Sequence, residues 1–191
     1  MASAGAPSQS TTLGARRILL CVCGGIAAYK AVELVRRLRD AGAEVQVAMT
    51  DNALRFVGAP TFQAVSGRTV RSSLWDEAAE AAMGHIELAR WADLVLVAPA
   101  TANTIAKLAH GLADDLVSTL CLASTAPLSV CPAMNHVMWK HPATQQNMAM
   151  LRDRGVQVIG PDDGPLAEGE SGPGRMAEPT AIVAALAAAH A

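Results

Sequence analysis

Residues 17–23 read Arg-Ile-Leu-Leu-Cys-Val-Cys and lead directly into Gly24-Gly25, a helical pattern over 27–41, a glycine at 42, and a second apolar run at 44–49. A short, almost uninterrupted apolar run suits a strand buried on both faces, whereas the three-and-four spacing of apolar residues in 27–41 marks one face of a helix. Strand, glycine turn, helix and strand make a βαβ unit, whose two strands lie parallel and whose crossover is right-handed. The rhythm recurs: a strand at 93–98, helices at 101–109 and 115–123, a strand at 127–131, a helix at 142–154, a strand at 156–160 and a final Ala-rich helix at 179–190. Strands alternating with helices give an α/β fold with a doubly wound parallel sheet.

A chain of 191 residues, 51% apolar, holds one substantial core. Residues 17–191 read as a single domain, and 1–16, rich in Ser, Ala, Thr and Gly, as a disordered leader without the apolar centre of a signal peptide. The formal charge of −2 comes from interspersed signs. That excludes the basic stripe of a nucleic-acid binder and favours small-molecule chemistry. No run is long and apolar enough to span a membrane. Cys21, Cys23, Cys121 and Cys131 lie in apolar runs without C-x-x-C spacing, and the five histidines show no ligand spacing. The expectation is a reduced, cytoplasmic protein without a metal site.

In open α/β sheets, ligands bind at the carboxyl ends of strands, so the turns there carry the candidates. Gly24, Gly25 and Ile26 follow the first strand and offer close backbone approach and a helix start that favours anions. The full G-x-G-x-x-G fingerprint is absent, and the second strand ends in Thr50 rather than an acid that would hold a ribose. Pro99, Ala100, Thr101 and Asn103 form a second cradle of small side chains, a hydroxyl and an amide. Two cradles on one sheet edge fit a mononucleotide such as FMN better than NAD. Asn135, ending Pro132-Ala133-Met134-Asn135, reads either as a helix N-cap or as a substrate contact. His85 reads either as a proton-exchanging group or as a surface or capping residue. The Gly- and Pro-rich stretch 164–176 reads as a long loop, either a lid or a plain surface segment.

In chain order, Gly24-Gly25-Ile26-Ala27-Ala28-Tyr29-Lys30, Gly84-His85-Ile86-Glu87-Leu88, residues 99–103, Pro132-Ala133-Met134-Asn135 with Met138-Trp139, and Gly172-Pro173-Gly174-Arg175-Met176 resemble the homo-oligomeric flavin-containing cysteine decarboxylases. The resemblance spans residues 17–190 and points to their coenzyme A branch. It implies a Rossmann-like flavoprotein, a flavodoxin-like three-layer sandwich, with FMN held by Gly24, Gly25, Ile26, Thr50, Pro99, Ala100, Thr101 and Asn103. It also implies a homotrimer or homododecamer, with the cofactor, and Asp114, Asp115 and Leu116 near it, at a subunit boundary. The implied substrate is a small phosphorylated cysteine conjugate, 4'-phosphopantothenoylcysteine. Flavin oxidation of its thiol to a thioaldehyde, loss of CO2 and re-reduction of the enethiol would give 4'-phosphopantetheine. His85 is then the base, and Asn135 with Ala133 and Met134 holds the carboxylate; Arg175 reads either as a contact to the substrate phosphate or as an exposed loop arginine. Many members are fused to or paired with phosphopantothenoylcysteine synthetase.

One departure bears on the last step. Many members carry Ala-Cys-Gly-Asp ahead of Gly-Pro-Gly-Arg-Met, and that cysteine protonates the enethiol; this chain reads Ala167-Glu168-Gly169-Glu170. Either Glu168 or Glu170 serves as the acid, with Glu168 the candidate at the cysteine's position, or the reaction stops at the enethiol. The latter corresponds to oxidative decarboxylation of a peptide's C-terminal cysteine. A non-catalytic regulatory flavoprotein is a further alternative, and flavin prenyl transfer, which shares the fold, ranks below it.

Overall fold

The computed structural model describes residues 12–76, 84–165, 167 and 169–189. Its strands are β1 (Arg17–Val22), β2 (Glu44–Met49), β3 (Leu94–Ala100), β4 (Leu128–Pro132), β5 (Gln157–Val158), β6 (Asp162–Pro165) and β7 (Ser171–Arg175). The helices among the described residues are α1 (Ala28–Asp40), α2 (Ala59–Ser66), α3 (His85–Trp91), α4 (Ala102–His110), α5 (Leu116–Ala123), α6 (His136–Lys140), α7 (Pro142–Asp153) and α8 (Pro179–Ala188). None of them is long and apolar enough to cross a membrane.

Side chains of β1 alternate between two apolar clusters: Ile18, Leu20 and Val22 face one side, Leu19 and Cys21 the other. Strand β3 does the same with Leu94, Leu96 and Ala98 against Val95 and Val97. This two-residue period, apolar on both faces, is why the central strands read as continuous apolar runs. All pairings in the main sheet are parallel and its order is β2-β1-β3-β4-β5, the flavodoxin-like order. Helix α1 buries Ala28, Ala31, Leu34, Val35 and Leu38 on one face, where α8 adds Ile182, Val183 and Leu186. Helices α3, α4, α5 and α7 cover the other face through Leu88, Ile105, Leu120 and Met148. Each fully buried Leu or Ile contributes about 1.5–3 kcal/mol by leaving water.

Strand order reverses between β1 and β3, so the chain leaves them toward opposite faces and a crevice opens beyond their carboxyl ends. At the amino ends, the Asp93 carboxylate accepts from the Arg17 backbone N–H at 2.9 Å and from its guanidinium at 2.6 and 3.1 Å. Those bonds hold the Asp93 carboxyl down at about 2.

Where sequence and structure differ, the reasons are local. The stretch 164–176 is not a plain loop: β6 and β7 pair as an antiparallel ribbon, Gly164 beside Gly172 and Pro165 beside Ser171. Its glycines and prolines concealed it, because strand propensity is read from β-branched and aromatic side chains. Helix α2 carries little amphipathic signal in eight residues and starts with Pro60 at a first-turn position. Strand β5 keeps two residues in the ladder where a run over 156–160 was expected. Leu13, on the leader side of the expected boundary, is buried and donates its N–H to the Ala41 carbonyl at 2.8 Å. Residues 1–11 of that leader, His190 and Glu168 lie outside the described residues.

Candidate functional site

The carboxyl ends of β1, β3 and β4, together with the β6–β7 ribbon, enclose a cavity of ≈ 1070 Å³. Gly24 and Gly25 divide two tasks there. A Cβ on Gly24 would collide with Asn52, so this glycine lets the end of β1 close against the turn after β2. A Cβ on Gly25 would meet only Thr101 Cγ2, at 3.8 Å, so this position faces open cavity. Thr50 directly follows β2, and its hydroxyl accepts the Ala53 N–H at 3.2 Å, shaping a short 3-10 turn, Ala53–Arg55. That turn brings Asn52 and Arg55 to the cavity wall.

The second cradle is built by a break in the ladder. Proline cannot donate to a neighbour, and the β3–β4 register shifts between Val97 and Ala100, across Pro99. Chain direction then changes at Thr101, whose hydroxyl caps α4 by accepting the Thr104 N–H at 3.3 Å. Behind it, Thr104 Oγ1 donates to Cys23 Sγ at 3.2 Å. Burial pushes the Cys23 thiol up to about 12, only partly offset by that bond, so it stays protonated at neutral pH. Asp115 caps α5 through Ser118 and also accepts from Lys107 Nζ at 2.7 Å; Asp114 takes the same ammonium at 2.6 Å. Burial would raise the Asp115 carboxyl, yet the bonds from Lys107 and Ser118 outweigh it and leave it lowered.

At the end of β4, Asn135 is the N-cap of α6: its Oδ1 accepts the Val137 N–H at 2.8 Å. Asn135 also lines the cavity, together with Ala133 and Met134. The two readings left open by sequence are therefore compatible, because the cap occupies the amide oxygen and leaves the Nδ2 hydrogens as its remaining donors. The ribbon docks directly on this turn. Met134 donates its N–H to the Gly174 carbonyl at 2.9 Å, and a Cβ on Gly174 would overlap the Met134 carbonyl oxygen. Gly174 holds φ at +152°, and a Cβ on Gly172 would sit 3.1 Å from His136 Cβ. The Gly-Pro-Gly motif is thus a requirement of backbone approach between ribbon and turn. Beside it, His136 Nδ1 lies 3.1 Å from a Glu170 carboxylate oxygen.

Most residues singled out in the sequence come together here. Gly24, Gly25, Ile26, Thr50, Thr101, Asn103, Ala133, Met134, Asn135 and Arg175 all line the cavity. Pro99 and Ala100 are buried within β3, behind that wall. His85 is the first residue of α3 and is half-buried, outside the lining of its own chain's cavity. Sequence reading gave no role of their own to Lys30, Asn52, Arg55, Lys107 and Glu178. Of these, Lys30 carried a signal, being a lysine in the first turn of a helix, where cations are disfavoured.

A family model described as Flavoprotein matches residues 7–190. The Coenzyme A biosynthesis bifunctional protein CoaBC of Escherichia coli is 58% identical over 179 residues, 94% of this chain and 44% of that protein. Its counterpart from Bacillus subtilis is 50% identical over 171 residues, 90% of this chain and 42% of that one. The chain therefore spans less than half the length of these curated relatives. Among solved structures, a cysteine-to-serine mutant of PPC decarboxylase complexed with pantothenoylaminoethenethiol superposes with a TM-score of 0.79 at 35% identity, covering 90% of this chain and 96% of that one. The FMN-dependent cysteine decarboxylase SpaF superposes with a TM-score of 0.78 at 32% identity, covering 95% and 99%.

Proposed function

This chain belongs to the Flavoprotein family, and from that membership we propose that its cavity holds FMN and that it decarboxylates 4'-phosphopantothenoylcysteine to 4'-phosphopantetheine. The observation that carries the reading is that the Asn135 turn opens into the same cavity as both cradles. The wall fits the cofactor: Gly25 leaves room for a ring or phosphate, Thr50, Asn52 and Asn103 offer neutral polar groups, and Arg55 and Lys30 are cations suited to a phosphate. When bound, FMN supplies the reversible oxidation of the thiol-bearing carbon that makes the neighbouring carboxylate a leaving group.

The side chains do the remaining work. Asn135 presents amide hydrogens to the substrate carboxylate, while Ala133 and Met134 shape the space around it. A neutral donor orients that group without the ground-state stabilisation a full positive charge would bring. Pro165 and Ala167 of the ribbon roof the cavity and exclude water from the reacting carbon. Glu168, which stands where many relatives carry the cysteine, is the acid that returns a proton to the enethiol. The partner activity is a synthetase, fused or separate, in line with the bifunctional relatives, and the site of action is the cytoplasm.

His85 takes the thiol proton, and it does so in the cavity of a neighbouring copy within a homotrimer or homododecamer. Two observations support this: His85 lies off its own chain's cavity wall, and the rim of that cavity exposes Ile26 at 63% and Tyr29 at 61%. Large apolar side chains around a half-open site are what a second copy covers. Co-expressed His85→Asn and Asn135→Asp chains, each inactive alone, are expected to recover about a quarter of wild-type activity, the share of mixed boundaries that unite both intact residues. No recovery in the mixed oligomer would place His85 and Asn135 in one chain's site.

The reading as a whole is tested by the mass of the product. Purified protein with flavin absorbance, given 4'-phosphopantothenoylcysteine, is expected to release CO2 and yield 4'-phosphopantetheine. A product two hydrogen atoms lighter would identify the oxidative route that ends at the enethiol. Colourless protein that cannot bind FMN, or substrate returned intact, overturns the reading.

A further inference from the structure

We infer that Glu178 is a positioning residue that sets Lys30 and Arg175 side by side on the cavity wall as an anchor for a phosphate monoester. One carboxylate oxygen, Glu178 Oε1, accepts from Lys30 Nζ at 2.7 Å and from Arg175 Nη2 at 3.1 Å. Both cations line the cavity, and the side chain of Lys30 is only 13% exposed.

Two members of this group sit against their local preference. Lys30 is the third residue of α1, close to the positive end of the helix, with no acidic residue in the first turn to offset it. Glu178 occupies the N-cap of α8, a position that favours Ser, Thr, Asp or Asn, and its side chain makes no capping bond. Gly164 holds φ at +150°, and a Cβ there would meet Arg175 Nη1 at 2.8 Å and Cδ at 3.2 Å, so the arginine lies directly across the β6 backbone. Two local departures converge on one oxygen and a bare glycine makes room for the guanidinium, the pattern expected where function overrides local stability.

The electrostatics follow from the count of charges. Two cations against one carboxylate leave a single positive charge toward the cavity, and the shared carboxylate stops the cations from repelling one another. Arg175 is thereby fixed from two sides, by Glu178 and by the bare backbone of Gly164. A phosphate monoester, with its near-double negative charge and several acceptor oxygens, matches an ammonium and a planar guanidinium held together. The substrate and the cofactor each carry such a group. The inference rests on the decarboxylase reading for the identity of the substrate, but not for the chemistry of the anchor.

The test compares Glu178→Gln, Glu178→Asp and Gly164→Ala with wild type. KM is measured for 4'-phosphopantothenoylcysteine and for its unphosphorylated form, FMN affinity by fluorescence titration, and folding by thermal melting. If the anchor holds the substrate, Glu178→Gln raises KM for the phosphorylated compound about tenfold, the loss of one charge-assisted contact. The unphosphorylated compound and kcat then move less than about twofold, and Glu178→Asp recovers most of the loss. Gly164→Ala, which displaces Arg175 without changing any charge, gives the same selective rise. If the anchor holds the cofactor, FMN affinity falls instead and both substrates suffer alike through occupancy. Equal loss on both substrates with FMN bound normally, or no change at all, overturns the inference. Should wild type turn over neither compound, the decarboxylase reading fails, and titration calorimetry with the same two compounds still decides whether Glu178 governs phosphate binding.

Discussion

Replacing Asn135 by aspartate is expected to slow decarboxylation by about 10²–10³-fold while the protein folds and binds flavin as before. The substitution separates the cap that this side chain forms from the carboxylate contact proposed for it. Aspartate caps helices as well as asparagine does, so the bond from the Val137 N–H to position 135, 2.8 Å in this structure, survives. What is lost is the pair of amide hydrogens, and what is added is a negative charge on the cavity wall, facing the carboxylate that has to be held. Both changes oppose binding of the departing group, and neither touches Gly25, Thr50 or Thr101. Alanine at the same position would confound the result by removing the cap as well, at about 1 kcal/mol. Single-turnover CO2 release, read beside a melting curve and a flavin spectrum, checks the expectation. More than a tenth of wild-type activity in Asn135→Asp would remove the amide from the mechanism.

The second large effect is expected at Gly174. Alanine there places a Cβ on the Met134 carbonyl oxygen and forces a side chain into backbone at φ +152°, so ribbon and turn cannot both keep their places. The Met134 N–H loses its acceptor, and β7 lifts away from the turn that carries Asn135. A misplaced positioning element of this kind costs about 10²-fold or more in rate. Trypsin cleavage after Arg175 should accelerate sharply in this variant, because the ribbon no longer shields that bond. Gly67 is the control, with a positive φ of +71° but nothing within 4 Å of an added Cβ. Gly67→Ala costs about 1 kcal/mol of stability and leaves activity and the cleavage pattern as they are. Equal behaviour of the two variants would show that backbone strain alone, and not docking of the ribbon, accounts for the loss.

These two positions also mark what a sequence can tell of such a site. The sheet was legible because β1 and β3 are buried on both faces, and double burial leaves an unbroken apolar run. Helices α1 and α8 were legible because each meets the sheet with one apolar stripe. The ribbon was not, since its pairing depends on where β7 meets the Met134 turn, a contact between segments about forty residues apart along the chain. The same limit applies within the cavity. Gly25 and Asn135 belong to short motifs that can be read in place. Glu178 cannot be read in place, because it looks like an ordinary surface acid until Lys30, from the first helix, is brought to 2.7 Å. Gly24 offers a further lesson: grouped with Gly25 as a ligand-facing glycine, it lines the cavity but also answers to Asn52, which no motif announces.

The cavity wall draws on positions from Gly24 to Met176, and this span has a consequence for the order in which the molecule is made. A ribosome that has delivered β1 through β4 has released nearly all of the parallel sheet, yet no closed chamber exists while the ribbon is still in the exit tunnel. On the proposed cofactor reading, colour is expected to be acquired late. Chains that stall or are clipped before the ribbon docks are then expected to remain pale, and flavin absorbance would separate finished molecules from unfinished ones.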